Sequence, residues 1–355
     1  MRVLATGFHR LGHDVHVAAV APSAEASSGF LQSLRDTGVE VTMLDVPGRA
    51  YVRERTLVAA LCRSLRPDIV HTHGYRADII ASSAARARRI PTVTTVHGFT
   101  GGDFKNRVYE HFQQRAFRHF DAVVAVSRPI VARLGARGVA RDRLHLLPNA
   151  YAAEETLLDR DAARERLGIT DDAFRLGWVG RVSPEKGADV FVDALAQLDP
   201  RGAIAASVLG DGGERDAVRA RAASLGVARQ ITWHGIVHGA GQLLAAFDVL
   251  VLSSRTEGTP MVVLEAMAAG VPIVATHVGG IPDMLSSSEA LLVAPDDPAA
   301  LAAAIRAVRT DPAAAAERAR AARCRLTAQF GVEPWLERYA DIYRQAQHTS
   351  TALTS

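Results

Sequence analysis

Short runs of apolar, mostly β-branched residues alternate with helically spaced patterns along all 355 residues, and this alternation confines the chain to a β/α architecture. In the first half the runs are Val15 to Val20, Val39 to Leu44, Asp68 to His71, Thr92 to Val96, Ala122 to Val126 and Leu144 to Leu147. In the second they are Arg175 to Val179, Ile204 to Leu209, Gln230 to Trp233, Val249 to Leu252, Ile273 to Ala275 and Leu291 to Val293. Strands joined by helical crossovers run parallel, so each half predicts a doubly wound sheet that offers ligands its carboxyl edge. A polar stretch follows Pro148 and Asn149, and a new core starts near Phe174. The domains expected are residues 1–150 and 151–332, with a last amphipathic helix through Trp335, Tyr339 and Tyr343 and a polar tail to Ser355 making up 333–355.

The front of the first half is short. Leu11, Gly12, His13 and Asp14 read as the end of a helix entering a strand, yet too few residues precede them for a strand, a loop and a helix. The spacing predicts a chain that opens inside its first helix, with a central strand and glycine-rich loop expected upstream.

Composition narrows the function classes. Cys62 and Cys324 lie far apart without metal-ligand spacing, which argues against a disulfide framework and a zinc site and favours a reducing, cytoplasmic setting. No apolar run is long enough to span a bilayer. The net charge of +3 conceals a split, because residues 1–150 carry 21 basic and 12 acidic side chains while the remainder carries 20 and 26. A basic first domain suits an anionic acceptor or surface. Nucleic acid is disfavoured, since no nucleic-acid motif and no stripe of interleaved basic and aromatic residues occurs.

The chemistry concentrates after Asp248. The run Val249 to Leu252 gives way to a polar loop carrying Glu257, closed by Gly258, Thr259 and Pro260, and a helix carrying Glu265 follows. Thr259 is expected to cap that helix and Pro260 to occupy its first turn. Two carboxylates beside a helix amino terminus suit a ligand with an anionic centre flanked by hydroxyls, as in a nucleotide sugar. Taken alone, the pair reads more readily as a solvated loop acid and an exposed helical one. After Val179, Gly180 to Gly187 places Arg181 and Lys186 at the edge of the second sheet, where a planar fork and a point charge can hold a diphosphate. Lys186 is one of only two lysines, the other being Lys105.

Other motifs carry less. Leu209 to Gly213 is not a dinucleotide fingerprint, because Arg215 stands where its last glycine belongs, and a tight strand-to-helix turn explains it as well. Asp159 and Asp161 spell a DxD, but Asp161 is better placed as a helix cap than as a metal ligand. His71 and His73 end one strand on one face, and His97 ends the next before Gly98, Gly101 and Gly102. Two histidines with no third ligand make a poor metal site, so His97 is the catalytic candidate, with a structural role as its alternative. Phe104, Lys105, Arg107, Val108, Tyr109, Phe112, Arg115, Phe117, Arg118 and Phe120 mix basic and apolar positions at helical spacing. They suit peripheral contact with an anionic membrane at its inner face, or a helix packed on its own sheet.

Taken in order, Gly180-Arg181, Lys186, the Glu257-x7-Glu265 pair, Glu265 to Pro272 and Gly279 to Asp283 resemble family 4 of the retaining glycosyltransferases, which have the GT-B fold of two Rossmann-like domains facing a cleft. His71 to Gly74, Val96 to Gly98, Ala125 to Ser127 and Pro148-Asn149 are similar to patterns of the same family. The resemblance implies that Arg181 and Lys186 bind the donor diphosphate, Glu265 the ribose hydroxyls and Glu257 the sugar hydroxyls. It makes Gly258, Thr259 and Pro260 the wall beside the phosphates and sets His97 near the reacting carbon. The expected activity is metal-independent, retaining transfer of a hexose-type sugar from a UDP or GDP donor to an acceptor hydroxyl, lipid-linked in one reading, with the donor as substrate and no cofactor. A nucleotide-sugar epimerase and a non-catalytic nucleotide-binding homologue are the rival readings.

Overall fold

A computed structural model describes residues 1–21, 28–99, 104–153, 156–198 and 203–352. The chain divides into two compact units, residues 1–148 with 332–355, and residues 149–331. The side chains of Phe104, Lys105, Arg107 and Val108, together with Gly101, Gly102 and the last tail residues, lie outside the described residues.

The first unit opens with α1 (Arg2–Arg10), β1 (His16–Ala21), α2 (Ser28–Arg35), β2 (Glu40–Asp45), α3 (Tyr51–Leu65) and β3 (Val70–His73). It continues through α4 (Tyr75–Arg86), β4 (Thr92–Val96), α5 (Phe104–Phe117), β5 (Ala122–Ala125), α6 (Arg128–Ala136) and β6 (Leu144–Leu146). Among the described residues β1 pairs with β2, and β3-β4-β5-β6 form a second sheet, every pairing parallel. β4 and β5 are buried along their whole length, as a parallel sheet covered on both faces requires.

The second unit contains α7 (Arg160–Arg166), β7 (Phe174–Val179), α8 (Ala188–Ala196), β8 (Ile204–Leu209), α9 (Arg215–Ser224) and β9 (Ile231–Gly235). Then come β10 (Val249–Leu252), α10 (Met261–Ala269), β11 (Ile273–Thr276), α11 (Ile281–Met284), β12 (Leu291–Val293), α12 (Pro298–Thr310) and α13 (Pro312–Gln329). The sheet order is β12-β11-β10-β7-β8-β9, all parallel. The chain winds outward from β7 through β8 to β9, then returns to β7's other side to lay down β10, β11 and β12. The winding direction therefore reverses between β7 and β10, and the crevice at their carboxyl ends is where such a sheet receives a ligand.

After α13 the chain rejoins the first unit as α14 (Val332–Ala352), where Leu336, Tyr339, Ile342 and Ala346 are buried with Leu4 and Phe8 of α1 and with Val93, Ala122 and Val124. The i, i+3, i+6, i+10 spacing of these apolar residues puts them on one helix face, which is why this surface helix is held. Leu336 lies so close over α1 that a Cβ on Gly7 would stand 2.6 Å from its Cδ1.

Two helix starts differ from the sequence reading. α10 begins after Pro260, which sits in extended geometry as the N-cap, with no side chain capping it, so Thr259 is not the cap. α7 is capped by Asp159, whose carboxylate accepts from the Ala162 N–H at 2.9 Å, and Asp161 lies inside the first turn. In both cases the chain turns helical at a residue other than the one the pattern marks, an error of a position or two that backbone dihedrals decide.

Candidate active site

β7 and β10 end side by side, and each hands over to a loop that the other loop holds. The loop after β7 passes through a short helical turn, Pro184–Lys186, and enters α8 at Gly187, where φ is 64°. A Cβ on Gly187 would stand 2.1 Å from the carbonyl oxygen of Ser253, the first residue beyond β10. Only glycine combines that backbone conformation with so close an approach. Ser253 Oγ donates to the Gly187 carbonyl at 2.6 Å and accepts from Trp178 Nε1 at 3.1 Å, which fixes the two strand ends to each other. Arg255 adds a fork to Asp189 of α8 (3.0 and 2.7 Å), a bond to the Pro184 carbonyl at 2.6 Å and one to Asp296 at 2.7 Å. The same closeness recurs on the far side, where Gly279 (φ 55°) lies under Glu257, a Cβ there falling 1.9 Å from the Glu257 carbonyl oxygen.

Inside this frame Lys186 meets Glu257. The ammonium lies 2.7 and 2.9 Å from the two carboxylate oxygens, and Ser254 Oγ donates to Glu257 Oε1 at 2.7 Å. The Glu257 side chain is 7% exposed and that of Lys186 28%, so a charge-assisted pair occupies a partly desolvated position. An ammonium has three N–H groups, and among the described residues Glu257 is the side chain that Lys186 engages, which leaves donor capacity for an incoming anion. Arg181 differs. Its side chain is 62% exposed and pairs with Glu185 four residues ahead, so its guanidinium lies at the surface rather than against Glu257.

Glu265 sits on α10, partly buried, its carboxyl over Gly241, where a Cβ would come within 2.8 Å of the carboxyl carbon. Burial pushes this carboxyl above the usual carboxylate range. Among the described residues it has no hydrogen-bond or ion-pair partner, although the ring of Tyr151 lies within its electrostatic reach. A half-buried, unpaired carboxylate at a sheet switch point marks a ligand site better than a solvated acid does. Thr259 is buried in the wall of the same loop, and its carbonyl accepts from Asn149 Nδ2 at 3.4 Å. The structure thus brings Lys186 and Glu257 into contact at the strand ends, carries the chain from Glu257 through Gly258, Thr259 and Pro260 into α10 with Glu265, and leaves Arg181 exposed beside Glu185. In the Leu209 to Gly213 turn the Asp211 carbonyl accepts from the Val182 N–H and the Asp211 carboxylate pairs with Arg215 at 2.9 Å, while the Val182 carbonyl accepts from the Glu214 N–H.

Ser253, Ser254, Arg255, Gly187 and Tyr151 escaped the sequence reading as parts of this frame. The serines that close the apolar run of β10 were the one local signal, because small hydroxyl residues at a strand end can tie the following loop.

In the first unit His97 follows β4, exposed at its outer edge, and stacks on His73 at 5.7 Å between centroids; His73 stacks on His71 at 4.5 Å. His71 spends both ring nitrogens inside the fold, on Tyr343 Oη at 2.7 Å and Thr95 Oγ1 at 2.9 Å, and Thr95 also meets Tyr339 Oη at 2.9 Å. Burial lowers His71 to about 3, so its ring is neutral near pH 7, and the enclosed side of the His97 ring shifts it in the same direction. His71 is a structural tie between β3, β4 and α14. His73 Nδ1 lies 3.4 Å from His97 Nε2, and no cluster among the described residues could hold a metal ion.

On α5, Phe117 and the following Phe120 are fully buried core residues, while Phe112 is 55% exposed. Much of the apolar half of that basic stretch is therefore packing. No described helix is long and apolar enough to cross a membrane.

Comparison with known proteins gives the family and the fold. A family model described as "Glycosyl transferases group 1" matches residues 173–311, and one described as "Glycosyl transferase 4-like domain" matches residues 1–150. A glycogen synthase of Mycobacterium tuberculosis is 31% identical over 380 aligned positions, covering 97% of this chain and 89% of that protein. A D-inositol 3-phosphate glycosyltransferase of Catenulispora acidiphila is 31% identical over 79% of this chain and 72% of its own length. Among solved structures, Anabaena HepE in complex with UDP superposes with a TM-score of 0.82 at 22% identity, covering 96% of this chain and 93% of that one. HepE is also solved in complex with UDP-glucose. These structures share the fold, which is GT-B.

Proposed function

This chain belongs to the group 1 glycosyltransferases, and from that premise we propose that it moves a hexose-type sugar from a nucleotide diphosphate donor to an acceptor hydroxyl with retention at the anomeric carbon. The carrying observation is the crevice between β7 and β10, where Lys186 keeps donor capacity beside Glu257 and Glu265 stands half-buried without a partner. In this reading Lys186, with Arg181 closing from the rim, binds the diphosphate and Glu265 accepts from the ribose hydroxyls. Glu257 orients Lys186 and takes hydroxyls of the sugar, and Gly258 to Pro260 line the phosphates. Residues 149–331 then form the donor domain.

As the bond between the anomeric carbon and the diphosphate breaks, negative charge grows on the leaving oxygen. Fixed cations aimed there stabilise that state more than the ground state. The cations of the chain supply the charge that a metal supplies elsewhere, so the proposal assigns no metal. The site offers no carboxylate free to act as a nucleophile, since Glu257 is paired and Glu265 is assigned to ribose. Retention is accordingly assigned to front-face attack: the acceptor oxygen bonds the anomeric carbon on the side the diphosphate leaves, and the leaving phosphate oxygen takes the acceptor's proton. His97 is assigned to the transferred sugar. The acceptor is assigned to the basic first unit, and the cytoplasm is the compartment proposed.

The test is product analysis by NMR with UDP-glucose and GDP-mannose against a panel of hydroxyl acceptors. Uridine donors come first, because HepE is solved with UDP-glucose. An axial product from an axial donor supports the proposal. An altered donor formed without any acceptor would identify an epimerase instead, and nucleotide binding without turnover would identify a binding module.

A further inference from the structure

We propose that residues 149–331 carry a second ligand site, at the sheet edge opposite the crevice, which binds a small phosphorylated polyol. The site is a groove of about 450 Å3 among the starts of β7, β10 and β11 and the helices α12 and α13, within the size range of small-molecule pockets. Phe174 is the first residue of β7, Asp248 immediately precedes β10 and Pro272 immediately precedes β11, so the groove lies at the amino edge. β7 has six residues, which puts about 20 Å between this groove and the crevice.

Three arginines set its chemistry. Arg320 and Arg323 share one face of α13 with Ala316 and Ala319, and Arg309 comes from the last turn of α12. The alanines keep that helix face low, which leaves room beside the guanidinium groups. Arg323 lays its head over Gly270, the left-handed residue that ends α10. None of the three has an ion pair or a side-chain hydrogen bond among the described residues. The arginine next to the groove does, since Arg160 pairs with Asp248 of the lining. Three like charges left unpaired around one depression favour an anion of more than one charge that guanidinium forks can grasp, and a phosphate monoester is such a group.

The rest of the lining argues for a polyol on that phosphate. Asp248 accepts one bond on each oxygen, from Arg160 at 2.8 Å and from the Arg175 N–H at 2.6 Å, and a carboxylate has about four acceptor sites. Hydroxyl donors can fill those left over. Phe174, Pro272 and Val308 give an apolar floor for the C–H face of a sugar ring.

Calorimetry on the intact protein tests this, with glucose 6-phosphate as probe, UDP present to occupy the crevice, and glucose and inorganic phosphate as controls. The proposal expects glucose 6-phosphate to bind despite UDP, more tightly than either control. The Arg320→Ala/Arg323→Ala double variant should bind it at least tenfold more weakly, with thermal stability and UDP affinity unchanged, and Arg309→Glu should abolish binding. No binding at millimolar probe, displacement of the probe by UDP, or equal affinity in the double variant would each overturn the proposal. Inorganic phosphate binding as tightly as the sugar phosphate would overturn the polyol assignment.

Discussion

Lys186 Nζ donates to both carboxylate oxygens of Glu257, a residue 71 positions away in the chain, and so joins the loop after β7 to the loop after β10. In the proposed reading the donor grip and the loop frame are thus one interaction. Lys186→Ala is expected to cost about 3 kcal/mol of barrier, on the order of a hundredfold in turnover, by analogy with loss of one oxyanion donor. The same change leaves Glu257 buried with Ser254 as its remaining partner. A stability loss of about 2 kcal/mol is expected in urea, below the 3–5 of a fully buried pair because the ammonium is 28% exposed. Normal turnover by Lys186→Ala would remove Lys186 from the mechanism.

Glu265→Gln should separate binding from folding. The variant loses a charged acceptor for ribose hydroxyls, so UDP affinity is expected to fall about tenfold, in line with hydrogen bonds to charged groups. Burial raises the Glu265 carboxyl in the folded chain, so its stability contribution is present at acid pH and lost as pH rises past the unfolded carboxyl's range. At neutral pH the glutamine variant should therefore be at least as stable as the parent, measured by urea unfolding. A variant both destabilised and unaltered in UDP affinity would mark Glu265 as structural.

His71 predicts acid sensitivity. Its folded pKa of about 3 lies below the unfolded value near 6.5, so its contribution is complete above about pH 6.5 and is lost as pH falls towards 3. The slope is at most about 1.4 kcal/mol per pH unit, which gives up to about 2 kcal/mol between pH 6.5 and pH 5. His97 shifts in the same direction, but its solvent-exposed edge makes it a poor basis for a figure. Urea unfolding of His71→Gln between pH 7 and pH 5 should show a flatter profile than the parent, and an unchanged profile would assign the acid sensitivity elsewhere.

Gly187→Ala tests the frame without touching a charged group. The substitution places a methyl against the Ser253 carbonyl oxygen and strains a backbone at φ 64°. Strain of this kind costs on the order of 1–3 kcal/mol, with the collision added. Turnover should fall with stability, since the loops carrying Lys186 and Glu257 must part. A neutral Gly187→Ala would show that the loop adjusts freely.

Among the described side chains Phe112, exposed on α5 ahead of the exposed Arg115 and Arg118, carries the membrane-contact reading once Phe117 and Phe120 are assigned to the core. If the acceptor is lipid-linked, anionic vesicles should float the protein at low salt and Phe112→Ser should weaken that binding severalfold. No flotation at low salt would leave a water-soluble acceptor.

The fold was largely legible because the signal is periodic: β4, β8, β10 and β12 span the residues their apolar runs mark, and other strands shift by a residue or two. The residues proposed for the crevice stood out as residue types. Their pairings did not, because nothing local in Gly180 to Gly187 says that Lys186 meets Glu257 rather than solvent, or that Arg181 turns to Glu185. The Arg255 fork to Asp189 and the hydroxyl ties of Ser253 and Ser254 depend on which strands lie side by side, a property of the winding order. The capping errors at Thr259 and Asp161 arose from backbone dihedrals that residue type constrains only weakly.

The most direct measurement is a crystal structure of the protein soaked with UDP or GDP. The account predicts a diphosphate against Lys186 with Arg181 folded over it, and both ribose hydroxyls donating to Glu265. Nucleotide absent from the β7/β10 crevice at saturating concentration, or bound with Glu265 turned into solvent, would contradict it.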